Sequence, residues 1–219
     1  MKLLAAVPVK DLANAKQRLI PFLSPPERRE LAQAMLEDVL EALVAALPGS
    51  VAVVTADPEV MEVARGRGVG CLVESANRGH TEAVAFAQRS SQERRLDGFL
   101  TIPGDVPCVT PEEISALRAG LGNARGVAFV PSLSGFGTNA ALLAPPDLMP
   151  LKFGEPSFGN HLEAARERGL TPVVLRLAGL GLDIDSPDDL RLLIESGSRA
   201  RSATLLRTWD IPGRLARRS

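Results

Sequence analysis

Residues 98–120 read GFLTIPGDVPCVTPEEISALRAG, and this stretch decides the fold. "GFLTIP" is a short apolar run, the pattern of a buried strand. "TPEEISALRAG" follows as a helix, with Thr110 as N-cap and Glu113 at the capping-box position. Between them, Pro103-Gly104 and Pro107 frame Asp105. An acid held this way at the C-terminal end of a strand is positioned, although a turn aspartate can also serve only its own backbone.

The same alternation extends in both directions. "KLLAAVPV", "SVAVVTA" and "CLVES" read as strands upstream. They are separated by an amphipathic helix, "PPERRELAQAMLEDVLEALVAAL", and a shorter one, "DPEVMEVARGRG". In the long helix Leu31, Met35, Val39, Leu40 and Leu43 share one face, Ser24 is a candidate N-cap and Pro48-Gly49 ends it. "GHTEAVAFAQRSS" is a helix. Downstream, "GVAFVPS", "NAALLAPP" and "TPVVLRLA" read as strands and "PSFGNHLEAARERG" as a helix. Strands alternating with helices predict an α/β fold, a mostly parallel sheet with helices on both faces. The expected division is a domain over 1–196 and a C-terminal helix with a solvated tail over 197–219.

Residues 180–194, LGLDIDSPDDLRLLI, carry a second group of acids. Ser186, Pro187 and Asp189 read as a helix start, with cap, first helical residue and capping-box acid. Asp183 and Asp185 alternate with Leu182 and Ile184, the period of a strand, which puts both carboxylates on one face, roughly 6–7 Å apart. Aspartate is a poor strand former, and like charges repel unless a cation separates them. Either the pair lies on a solvated strand end, or it serves a hard metal ion, which takes oxygen ligands. With Asp105 it makes three carboxylates at one sheet edge, a workable magnesium site.

Composition narrows the class. The chain has 219 residues, 45% hydrophobic, with a formal net charge of −1. That size suits one sizeable domain, and the charge gives no field for nucleic acid. Cys71 and Cys108 form no metal-finger or C-x-x-C spacing, so a reduced, cytoplasmic protein is expected. "LLAAVPV" is too short to span a membrane and lacks the pattern of a signal peptide.

In such sheets ligands bind outside the carboxyl ends of the strands. "PVKDLANAKQRL" sets Lys10, Lys16 and Arg18 just after the first strand. The loop has no Walker motif, yet three cations can hold a triphosphate. "GRGVG" at 66–70 precedes a strand and so makes no dinucleotide fingerprint. Gly135, Gly137 and Thr138 form a loop whose amides suit an anion, and Gly154 and Ser157 precede a helix with a free N-terminus. His80 and His161 have no nucleophile pattern beside them, and surface or supporting roles are expected.

In order, "PVKDLANAKQRL", "LSPPERRELAQAMLEDVL", "VVTADPEV", "PGDVPCVTPEEI", "GTNAALLAPPD", "FGEPSFGNHLEAAR" and "LDIDSPDDL" run from about Lys2 to about Leu193. With these the chain resembles the guanylyltransferases of deazaflavin coenzyme (F-420) biosynthesis, which act on 2-phospho-L-lactate, phosphoenolpyruvate or 3-phosphoglycerate. The resemblance implies a Rossmann-like fold of the nucleotide-diphospho-sugar transferase (glycosyltransferase-A) type. It implies metal-binding acids at Asp105, Asp183 and Asp185, a nucleotide loop at Lys10, Lys16 and Arg18, and a phospho-acid pocket at Thr138, Gly154 and Ser157 with Asn139 beside it. The chain departs from the family at Cys108, where a small apolar residue is expected. It departs again at "GHTEAV", which sets His80 and Thr81 in the region that faces the base or ribose.

The implied reaction moves GMP from GTP to the phosphate of a small phospho-carboxylic acid, releasing pyrophosphate. Lys16 and the three acids would be catalytic, Mg2+ the cofactor, and a homodimer compatible with the family. A cytidylyltransferase acting on a sugar or molybdopterin precursor, and a non-catalytic nucleotide-binding subunit, are the alternatives.

Overall fold

The computed structural model describes residues 1–122 and 124–216. Along the chain the elements are β1 (Leu3–Pro8), α1 (Pro25–Ala46), β2 (Val51–Thr55), α2 (Pro58–Gly66), β3 (Gly70–Val73), α3 (His80–Glu93), β4 (Gly98–Thr101) and α4 (Pro111–Leu121). Then come β5 (Gly126–Pro131), β6 (Thr138–Ala144), α5 (Ser157–Arg166), β7 (Val173–Val174), α6 (Ala178–Gly181), α7 (Pro187–Glu195), α8 (Arg201–Thr208) and α9 (Ile211–Ala216).

The strands form one sheet in the order β3-β2-β1-β4-β6-β5-β7. β6 runs antiparallel to β4 and β5, and the other pairs are parallel. Apolar side chains leave both faces of the sheet. On one, Val53, Leu100 and Leu142 meet Leu36, Leu40 and Leu43 of α1 and Leu117 of α4. On the other, Val54, Phe99, Phe129 and Leu143 meet α3 and α5 through Val84, Ala87 and Ala165. Strands covered on both faces read as continuous apolar runs, which is why β1, β2 and β5 are legible in sequence.

From β1 the chain builds outward through β2 and β3, then returns to place β4 on the other side of β1. The sheet therefore has a switch point between β1 and β4, and the loops after these strands diverge over a crevice there.

The C-terminal part differs from expectation. The strand expected over "TPVVLRLA" is only Val173–Val174, and the chain then turns into α6. Glu113 holds α6 in place, its carboxylate accepting from the Gly179 and Leu180 N–H groups at 2.8 and 2.9 Å. Thr110 caps α4 as expected, but the Glu113 side chain is spent on α6. Residues 182–185 form no strand; Ile184 N–H instead bonds the Asp105 carbonyl at 3.1 Å.

The C-terminal segment is no solvated tail where it is described. Ala203, Leu206, Ile211 and Leu215 share a buried cluster with Leu31 and Met35 of α1 and Leu190 of α7. Arg201 pairs with Glu41 at 2.6 Å and Arg214 with Glu27 at 2.7 Å. Residues 217–219 lie outside the described set.

Candidate active site

The loop after β1 and the loop after β4 line a cleft of about 470 Å³ at the switch point, with Lys10, Lys16, His80, Asp105 and Asp185 on its walls. Lys16 sits in a left-handed conformation, φ 55°, before a 3-10 turn over Gln17–Leu19 whose Leu19 is fully buried. This turns its side chain inward. Its Nζ donates to Asp105 Oδ2 at 2.6 Å and to Asp185 Oδ1 at 2.9 Å. Burial alone would lower its pKa, but the two carboxylates outweigh it and raise it to about 12. Lys10 and Arg18 are exposed; burial pushes Asp185 up, but the Lys16 charge and hydrogen bond, with a smaller part from Arg18, hold it below the usual carboxylate range.

The two acids of 182–185 are aimed by their neighbours. Leu182 and Ile184 are buried in the C-terminal cluster, so Asp183 and Asp185 turn away from it. Asp189, predicted as a capping acid, caps Ser186 at 2.7 Å and also accepts from the Asp185 N–H at 3.0 Å. Asp183 Oδ1 accepts from Asn139 Nδ2 at 3.0 Å, and the same amide donates to Gly181 O at 3.1 Å. A bulge makes this reach: Val130 pairs with Ala140 and Pro131 with Thr138, leaving Asn139 as the extra residue. Burial pushes Asp183 up, and the nearby Asp105 and Asp185 charges add to it while Asn139 opposes.

Asp105, Asp183 and Asp185 thus converge, with Lys16 between two of them. Among the described residues no three His, Cys, Asp or Glu side chains form a preformed metal cage, and the Lys16 ammonium stands between Asp105 and Asp185. The donor set still suits magnesium, which keeps its waters and takes one or two carboxylates along with substrate phosphates. One ammonium does not balance three carboxylates; the rise at Asp183 comes first from burial, and the like charges of Asp105 and Asp185 add to it.

The third cluster is built differently from the expected open loop. Thr138 and Ser157 are 6% and 2% exposed. Ser157 is the first helical residue after Pro156, and its hydroxyl accepts from Thr138 N–H at 3.0 Å. Gly154 holds φ 113°, a conformation suited to glycine. Of the two roles expected for His161, surface or supporting, the surface one does not hold: it is 2% exposed and 2.9 Å from Thr138 Oγ1. Its i+4 spacing from Ser157 on α5 was the available signal. His80 lines the cleft and packs edge-on against Phe153, with burial taking its pKa down to about 4.

The family model described as "Guanylyl transferase CofC like" matches residues 1–218. The chain belongs to this family of guanylyltransferases. It is 42% identical over 194 residues to a phosphoenolpyruvate guanylyltransferase of Sphaerobacter thermophilus, covering 88% of this chain and 93% of that one. It is 36% identical over 207 residues to a 2-phospho-L-lactate guanylyltransferase of Methanothermobacter thermautotrophicus, covering 94% and 91%. A crystal structure from Desulfovibrio desulfuricans G20, assigned to the nucleotide-diphospho-sugar transferases, superposes with a TM-score of 0.80 at 17% identity, covering 99% of this chain and 97% of that one. The fold is of that type, and the CofC-like chain is a nucleotidyltransferase. Among its described residues no helix is long and apolar enough to cross a membrane.

Proposed function

We propose that this chain transfers GMP from GTP to the phosphate of a small phospho-carboxylic acid, releasing pyrophosphate, as a step of coenzyme F-420 biosynthesis. The acid is phosphoenolpyruvate, 2-phospho-L-lactate or 3-phospho-D-glycerate. The observation that carries the proposal is the meeting of Lys16 with Asp105 and Asp185 in the switch-point cleft.

The nucleophile is a phosphate oxygen of the acid, already anionic at neutral pH, so no general base is needed. It forms a new bond to the α-phosphorus of GTP as the bond to the β-phosphate bridging oxygen breaks. The difficulty is bringing two anions together. Lys16, with Lys10 and Arg18, offsets the triphosphate charge and the charge on departing pyrophosphate. Thr138, Gly154 and Ser157 orient the acid for in-line attack. Asp105, Asp183 and Asp185 would hold magnesium, which supplies charge stabilisation at the phosphates when bound. A cytoplasmic setting belongs to this reading and is supported by the free thiols Cys71 and Cys108.

The test is pyrophosphate release with magnesium and GTP against the three acids in parallel, with CTP and ATP as controls. Release that requires both GTP and one acid is expected. Silence with all three acids, or a preference for CTP, overturns the proposal.

A further inference from the structure

The hydrogen bonds around His161 can be assigned donor by donor. The Lys152 backbone N–H donates to His161 Nε2 at 3.0 Å. A backbone amide has no other role, so Nε2 carries a lone pair. A neutral imidazole has one N–H, which is then on Nδ1. Burial favours the neutral ring and takes its pKa down to about 4. Phe129 stacks on the ring at 5.4 Å and Phe153 meets it edge-on at 5.2 Å, so its plane is held.

Nδ1–H therefore donates to Thr138 Oγ1 at 2.9 Å. Ser157 Oγ donates to the same oxygen at 3.3 Å, while accepting from the Thr138 N–H. Every donor of this set now has a protein acceptor except one. The Thr138 hydroxyl proton has none among the described residues. It lies one residue from Asn139, whose amide donates to Asp183 at 3.0 Å.

We propose that His161 is a positioning residue of the acid subsite. By occupying the acceptor lone pairs of Thr138 together with Ser157, it commits the Thr138 hydroxyl to donate to an anionic oxygen of the phospho-acid. The proposal rests on the guanylyltransferase reading above. Ser157 then acts on the acid through Thr138, its own hydroxyl proton being used within the protein.

The first arm of the test needs no turnover. The chain has two histidines, so nitrogen-15 NMR of the imidazoles resolves both. His161 is expected as the Nδ1–H tautomer, unchanged from pH 5.5 to 8. An Nε2–H tautomer, or titration in that range, overturns the proposal.

The second arm is kinetic. His161→Asn keeps an N–H near the Nδ1 position, and His161→Leu removes it. The leucine variant is expected to raise KM for the acid at least roughly tenfold, with KM for GTP within about twofold of wild type, and asparagine to restore most of the loss. If His161→Leu does not fold, Thr138→Val and its rescue by Thr138→Ser read the same donor. An unchanged acid KM, or equal changes for GTP and acid, in an otherwise active enzyme overturns the proposal alone. A wild-type protein silent with every acid overturns the functional reading and this proposal with it.

Discussion

Lys16 and Asp105 stand 89 residues apart in the chain, and their side chains meet at 2.6 Å. Lys16 also holds Asp185, so one ammonium joins the loop after β1 to both acidic segments. Removing it should act on charge at several points.

Lys16→Met keeps the length of the side chain and loses the ammonium. Turnover should fall about a hundredfold or more. Magnesium binding without nucleotide should tighten, because the ion no longer competes with the ammonium for Asp105 and Asp185. Calorimetric titration of both proteins reads this, and equal affinities would remove Lys16 from the metal's neighbourhood. Alkaline stability gives a second readout. The folded pKa of Lys16 is raised from 10.5 to about 12. The linked stability is fully present below 10.5 and is lost as pH rises through 12; the shift corresponds to about 2 kcal/mol. Urea melts across this window should show the loss in wild type and not in the variant.

Asp183→Asn is nearly isosteric and keeps an oxygen to accept from Asn139. Pyrophosphate release should drop by about two orders of magnitude or more while thermal unfolding changes little. Asp105→Asn should behave alike in turnover. Near-normal activity of either variant with magnesium present would end the assignment of that acid.

A Cβ at Gly179 would overlap the Cys108 carbonyl oxygen. Gly179→Ala must therefore shift α6, which leads directly into Asp183 and Asp185. Both turnover and stability should fall, the latter by about 1–3 kcal/mol. Gly66→Ala, on α2 with nothing within 4 Å of its added methyl, is the control and should be neutral or slightly stabilising. Unfolding curves and initial rates of the pair decide it; equal rates would mean α6 does not set the acids.

Asp38 on α1 accepts from Arg201 N and Ser202 N at 2.9 and 3.0 Å and from Ser202 Oγ at 2.7 Å, capping α8 from across the core. Asp38→Ala should cost about 1–3 kcal/mol, measured by denaturant unfolding. A cost near zero would mean that α8 docks through its apolar contacts alone.

Much of the candidate site was legible because its residues are marked by local chemistry. Asp105 is framed by prolines, and Asp183 and Asp185 stand against strand propensity between buried neighbours. Asp189 declared itself as a helix-start acid, and the capping box at Ser186 is present. What stayed hidden depends on contacts between distant segments. Glu113 matched a capping box with Thr110, yet its carboxylate serves α6, 66 residues away. His161 had no nucleophile beside it in sequence, yet it closes a network with Thr138, 23 residues upstream.

The sequence by itself determined the layered fold, since period and propensity act within a few residues and both faces of the strands needed covering. It also determined which loops would carry cations and which carboxylates. Only the tertiary structure decided that the Lys16 ammonium stands between Asp105 and Asp185, that Asn139 aims Asp183, and that the C-terminal helices complete the core around α1. Those choices rest on a bulge, a left-handed residue and a switch in strand order, which arise only when segments far apart in the chain pack together.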